Sequence, residues 1–131
     1  MPTLASAVDF ETALLRTLRE DAGLSALVGN KVFPLAIPAG NYLPCVTFQR
    51  LGRPANTLAG PSGLEEIDLL IDAWARDYHE AKAVAKAVRA AMPANGPRFG
   101  AHLIEDQDLY EDGTNYFRVS MEFKVWFLET E

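Results

Sequence analysis

Residues 116–127, YFRVSMEFKVWF, constrain the fold of this chain more than any other stretch. Phe117, Val119, Met121, Phe123, Val125 and Phe127 fall on one side of a two-residue repeat. Tyr116, Arg118, Ser120, Glu122, Lys124 and Trp126 fall on the other. Successive side chains of a strand point to opposite faces, so the repeat predicts a half-buried antiparallel strand. One strand cannot cover such an apolar row alone, so the chain needs a sheet with a second layer packed on it.

The rest of the sequence supplies that sheet and that layer. "EDGTN", 111–115, brings the Asp-Gly chemistry of a hairpin, and strand-like residues resume near Phe99 after the turn cluster "PANGP", 93–97. In "GPSGLEEIDLLIDAW", 60–74, Ile67, Leu69, Ile71 and Ala73 alternate with Glu66, Asp68, Leu70, Asp72 and Trp74, which predicts another strand. "CVTFQRL", 45–51, is rich in β-formers and predicts a further one. Residues 30–44 hold Pro34, Pro38, Gly40 and Pro44 and read as an irregular segment that covers part of the core through Val32, Phe33, Leu35 and Ile37. Residues 52–63, with two prolines and three glycines, read as a long loop.

The covering layer is helical. Ser6 and Asp9 form a capping-box pattern ahead of Phe10, Leu14, Leu15 and Leu18, with Glu11, Arg16, Arg19 and Glu20 opposite. This predicts an amphipathic helix over 7–22 that stops at Gly23, with a short helical turn in "LSALVG", 24–29. Asp77 and Glu80 repeat the capping box, and Ala81, Val84, Ala85, Val88 and Met92 make the apolar side of a helix over 78–92 ended by Pro93. The expected architecture is a single α+β domain, 1–131, with a four-stranded largely antiparallel sheet. Two helices pack on one of its faces, in the order α-β-β-α-β-β.

Composition narrows the function. At 131 residues with 49% hydrophobic and 23% charged residues, the chain resembles an ordinary globular domain. No apolar run approaches the ~20 residues of a membrane span, and the amino terminus lacks the pattern of a secretory signal. Cys45 is the sole cysteine, so no intrachain disulfide forms, which fits a reducing compartment. A formal charge of −6 argues against broad coating of nucleic acid, though not against one that passes by.

Candidate chemistry is sparse. Gly60-Pro61-Ser62-Gly63 is followed by Leu64-Glu65-Glu66 rather than by the lysine and hydroxyl of a phosphate-binding loop. Glu66, Asp68 and Asp72 share one strand face, and two-metal nucleases do take carboxylates from neighbouring strands. A small metal-dependent hydrolase or nuclease is therefore the alternative reading, and Lys124 serves it only if the last strand pairs with this one. The preferred reading is a solvated or interfacial face with Arg50, Arg118 and Lys124 as cross-strand partners. Leu70, Trp74 and Trp126 on that face suit a subunit contact better than open water. Nothing in the spacing joins Cys45 with His79 or His102 as nucleophile and base, or makes a zinc site. "DQDLYEDG", 106–113, misses the spacing of a calcium loop. No catalytic, cofactor-binding or metal-binding residue is assigned.

The ordered series carries more than any single motif. "ALLRTLRED", "LSALVGNKVFP" and "LPCVTFQRLGR" are followed by "TLAGPSGLEEIDLLIDAWARDYHEAKAVAKAVRAAM" and "DLYEDGTNYFRVSMEFKVWF". Over residues 10–128 the chain resembles the tail-completion and tail-terminator proteins of long-tailed bacteriophages and gene transfer agents. The resemblance implies a small α+β structural subunit in a hexameric ring that caps the tail tube at the head–tail junction of the virion. It would be made in the bacterial cytoplasm during assembly. Implied partners are other copies of itself, the tail tube protein and head–tail connector proteins, with DNA only in passage through a central channel. On this reading Glu66, Asp68, Leu70, Asp72, Trp74, Arg50, Arg118, Lys124 and Trp126 are candidate subunit-contact residues. Arg53, Asn56, Thr57, Leu58 and Ser62 form a candidate docking loop, joined by the tail from Leu128 to Glu131. Glu105, Asp106, Asp108, Glu111 and Asp112 would keep DNA from sticking if their edge lines the channel. Capping the tube and joining it to the head remain alternatives.

Overall fold

The computed structural model describes residues 10–40, 42–51, 64–96 and 99–128. The chain folds as α1 (Phe10–Glu20), α2 (Ala22–Val28), β1 (Val32–Pro34), β2 (Cys45–Arg50), β3 (Leu64–Ala75), α3 (Tyr78–Ala91), β4 (Phe99–Glu111) and β5 (Tyr116–Leu128). The strands form one five-stranded sheet in the order β1-β2-β3-β5-β4. β1 runs parallel to β2, and every other neighbouring pair is antiparallel. The expected α+β class holds, but the sheet is mixed with a fifth strand, and there are three helices among the described residues rather than two.

The fifth strand, β1, lies in the segment that proline and glycine content marked as irregular. Its edge position explains why proline is tolerated there. The Leu35 amide donates to the Phe48 carbonyl at 2.8 Å and Val46 donates to Lys31 at 3.0 Å, so Pro34 sits at a position facing away from β2. A missing amide there removes no ladder bond.

The third helix comes from Asp21. Its backbone is extended, at φ −73° and ψ 123°, and its carboxylate accepts the Leu24 amide at 2.9 Å. That cap ends α1 at Glu20 and starts α2, so Gly23 lies inside α2 and is not the stop predicted for the first helix. The stop is Gly29, at φ 66°, whose amide donates to the Ser25 carbonyl. The predicted Ser6–Asp9 cap lies outside the described residues.

The second capping site stands as expected: the Asp77 carboxylate accepts the Glu80 amide at 3.1 Å and opens α3. Replacing Asp77 with alanine is expected to lower the unfolding free energy by about 1 kcal/mol, with asparagine restoring most of it, as read from the urea midpoint.

All three helices pack on one sheet face. Ala81, Val84, Ala85 and Val88 of α3 are buried, and the alanines allow close approach to β3 and β5. Leu14 and Leu18 of α1, Leu24 and Val28 of α2, and Ile67, Leu69, Ile71, Val119, Met121, Phe123, Val125 and Phe127 of the sheet complete the core. Phe10 meets Phe99 and Phe127 edge-on, at ring-centroid distances of 5.3 and 5.6 Å. The connection from β3 through α3 to β4 skips one sheet position, and β5 returns to fill it. The predicted alternation of β5 therefore lies inside the sheet, between β3 and β4, with its aromatic row against the helices.

Candidate functional site

The sheet face opposite the helices is built from rungs set by strand register. Cys45, Trp74, Arg118 and Leu109 form one; Thr47, Asp72, Ser120 and Gln107 the next. Gln49, Leu70, Glu122 and Glu105 follow, then Asp68, Lys124 and His102, then Glu66, Trp126 and Gly100.

Two ion-paired clusters occupy this face. At one end the Trp74 indole N–H donates to Thr47 Oγ1 at 2.9 Å, and the Tyr116 ring stands edge-on to the indole. The Arg118 guanidinium lies 5.0 Å from the Trp74 ring centroid and reaches Asp72 Oδ2 at 3.5 Å. At the other end Lys124 pairs with Glu66 and, at 3.9 Å, with Asp68.

The carboxylates were expected to face solvent or an interface, yet within the single chain Asp68 and Asp72 are only 5% and 7% exposed. Their place on a central strand accounts for this, because longer side chains from β2 and β5 close over short ones on β3. Burial pushes the Asp72 carboxyl above its ordinary range, and the Ser120 hydroxyl and Arg118 guanidinium offset this only in part. Asp72 Oδ1 and Arg118 Nε are buried without a hydrogen-bond partner.

This geometry bears on metal chemistry. Asp68 and Asp72 are four residues apart on one strand, about 13 Å along it. Each is held by its own cation, and the three carboxylates do not converge. Lys124 does sit across from Asp68, as the hydrolase alternative required, but it neutralises the carboxylates that a metal would need. Among the described residues no group of three His, Cys, Asp or Glu side chains is placed to hold a metal ion.

The other sequence-predicted residues separate. Arg50 pairs in register with Leu69, a helix-side residue, so it lies on the face opposite Asp68 and Asp72 and is not their cross-strand partner. Gln49 occupies the position expected of it. Leu70 is half-buried and Trp126 is 40% exposed. The candidate docking residues Arg53, Asn56, Thr57, Leu58 and Ser62 lie outside the described residues, as does the carboxy-terminal stretch 129–131. Cys45 is buried on β2, where burial raises its thiol to about 11. His79 is on α3 and His102 on β4, so the three do not meet.

Three contacts had no clear sequence signal. Lys82 and Tyr78 bind Asp108, and Arg89 reaches Asp106, which ties α3 to β4. The Lys82 hydrogen bond is the main reason that the Asp108 carboxyl lies below its ordinary range. Two of the acidic residues expected along a channel are thus already paired within the chain. Lys82 and Arg89 stand two helical turns apart on one face of α3, the one pattern that hinted at this.

Comparison with known proteins adds an independent line. The family profile described as "Tail completion protein gp17" matches residues 12–128. One chain of a solved structure titled "Virion of native gene transfer agent (GTA) particle" superposes with a TM-score of 0.69 at 21% identity, covering 97% of this chain and 98% of that one. No curated protein matches.

Proposed function

Since the chain belongs to the tail completion protein family, we propose that it is a non-enzymatic structural subunit of the virion that caps the tail tube as a hexameric ring at the head–tail junction. The observation that carries this reading is the match of the family profile over 12–128, nearly the whole chain. The fold shared with a chain of a gene transfer agent particle supports it. So does the site geometry: Glu66, Asp68 and Asp72 are each spent on a lysine or arginine of β5.

The proposed neighbours are further copies of the chain, the tail tube below and the head–tail connector above, with DNA only passing through the ring. The outer sheet face, where Trp126 stands exposed beside Glu66 and Lys124, is one contact surface of that assembly. A half-exposed tryptophan rimmed by charge is the composition that interface centres favour.

Electron microscopy of particles made without this protein tests the role. Tails of uncontrolled length are the result expected of a missing cap. Full heads beside normal, unattached tails would move the role to joining, and intact infectious particles would overturn the proposal.

A further inference from the structure

The two edges of the sheet differ in backbone closure and in charge. β1 is the edge on one side and β4 on the other. At β1 each outward backbone group is already occupied. The Val32 amide donates to Asn30, the Val32 carbonyl accepts from Arg19 Nη2 at 2.8 Å, Pro34 has no amide, and its carbonyl accepts from Ala36. This edge is closed to strand addition. Beyond Ala101, β4 has only β5 as a strand neighbour, and among the described residues no loop backbone bonds to 103–110.

The charges are also opposed. Arg19 of α1, which reaches the Val32 carbonyl, and Lys31 before β1 put two cations at the closed edge, and Arg16 lies one turn from Arg19 on α1. None of the three has a carboxylate partner among the described residues. At β4, Asp106 and Asp108 are taken by Arg89 and Lys82, which leaves Glu105, Glu111 and Asp112 without a cation among the described residues. Glu105 lies directly across from Glu122, a like-charge pair that a cation from outside the chain would relieve.

Each edge also exposes apolar surface. Leu35 is 72% exposed and holds φ 69°, a left-handed conformation that leucine adopts at a cost. At the other edge a β-bulge between Leu103 and Glu105 pushes out Ile104, which is 52% exposed. Edge carboxylates alone would be explained as protection against aggregation. An exposed, strained leucine on one edge and a bulged isoleucine on the other are not.

We propose that neighbouring copies of this chain join edge to edge, the Ile104–Glu105 bulge of one against the Leu35–Lys31 corner of the next. This rests on the ring reading and says which surfaces close the ring. The contact is heterologous, as a ring requires, because two acidic edges repel each other and two basic edges do the same. Charge sets partner and orientation, and the apolar pair supplies the buried area. The outer sheet face is left free for the proteins above and below.

Cysteine cross-linking on purified tails tests this. Leu35→Cys and Ile104→Cys are both surface changes, and native Cys45 is buried with its thiol raised to about 11, so it stays silent toward a short bismaleimide. The double variant is expected to give a ladder of multimers, and each single variant none. A dimer from Ile104→Cys alone would show a symmetric contact and overturn the proposal. A second arm uses charge: Glu105→Lys in the double-cysteine chain should abolish the ladder, and adding Lys31→Glu should restore it. No restoration also counts against the pairing. Copy number per tail, by quantitative mass spectrometry, separates the two failures. Several copies without a ladder overturn the edge assignment and leave the ring; a single copy overturns the ring itself.

Discussion

Leu69→Ala is expected to lower the unfolding free energy of the isolated chain by about 2–5 kcal/mol, as a cavity in a sheet centre does. Leu69 is fully buried on β3, between Arg50 on β2 and Phe123 on β5, with Ile67 and Ile71 beside it on the same face. Its methyls fill the layer between the sheet and the helices. Neighbouring strands are pinned by their ladders, so the void cannot collapse. Against a typical total of about 5–15 kcal/mol, this brings the monomer close to unfolding at working temperature. Urea titration should show a lower midpoint with an unchanged slope. Leu35→Ala, at a residue 72% exposed, is the control and should be nearly neutral in the same experiment. A loss below 1 kcal/mol at Leu69 would mean the core packs otherwise.

Arg118→Ala is expected to cost about 3 kcal/mol near neutral pH, because it leaves the Asp72 carboxylate buried without its cation. The pH dependence carries its own sign. Burial raises Asp72 above its ordinary value of 3.8 in the folded state. The folded chain therefore holds this proton to higher pH than the unfolded chain does. Stability from that proton is complete below the unfolded value and is lost as pH rises through the raised folded value. Removing Arg118 takes away one of the influences that lower the Asp72 carboxyl, so the deficit of the variant should shrink as pH falls and Asp72 becomes neutral. Asp72→Asn should stay within about 1 kcal/mol of the natural chain at neutral pH and flatten this dependence. The double variant should cost less than the two singles added together. An Arg118→Ala deficit that does not change with pH would show that the guanidinium acts only through its packing on Trp74.

Those two residues also show how far local pattern reaches. β5 and the Ile67–Ala73 row of β3 were legible because a two-residue repeat is a property of neighbours in the chain, and no partner is needed to reveal it. The start of α3 was legible for the same reason, since Asp77 caps an amide only three residues away. β1 escaped because a three-residue parallel strand exists only by virtue of β2 beside it. α2 was read only as a short helical turn over 24–29, and its start was missed because Asp21 reads equally as the end of one helix and the beginning of another. Arg50 was placed on the wrong face because its side is set by register with Leu69 on a different strand, and no local repeat reveals that register.

What the sequence determined by itself was the α+β class, the long alternating strands, the capped helix and membership of a family read from ordered motifs. Each depends on spacing along the chain. What only the tertiary structure decided was which strands are neighbours. From that followed the burial of Asp68 and Asp72, the choice of Arg118 and Lys124 over Arg50 among their expected cross-strand partners, and the contrast between a closed basic edge and an open acidic one. Exposure and charge pairing are properties of residues distant in sequence, and the backbone must fold before they are defined.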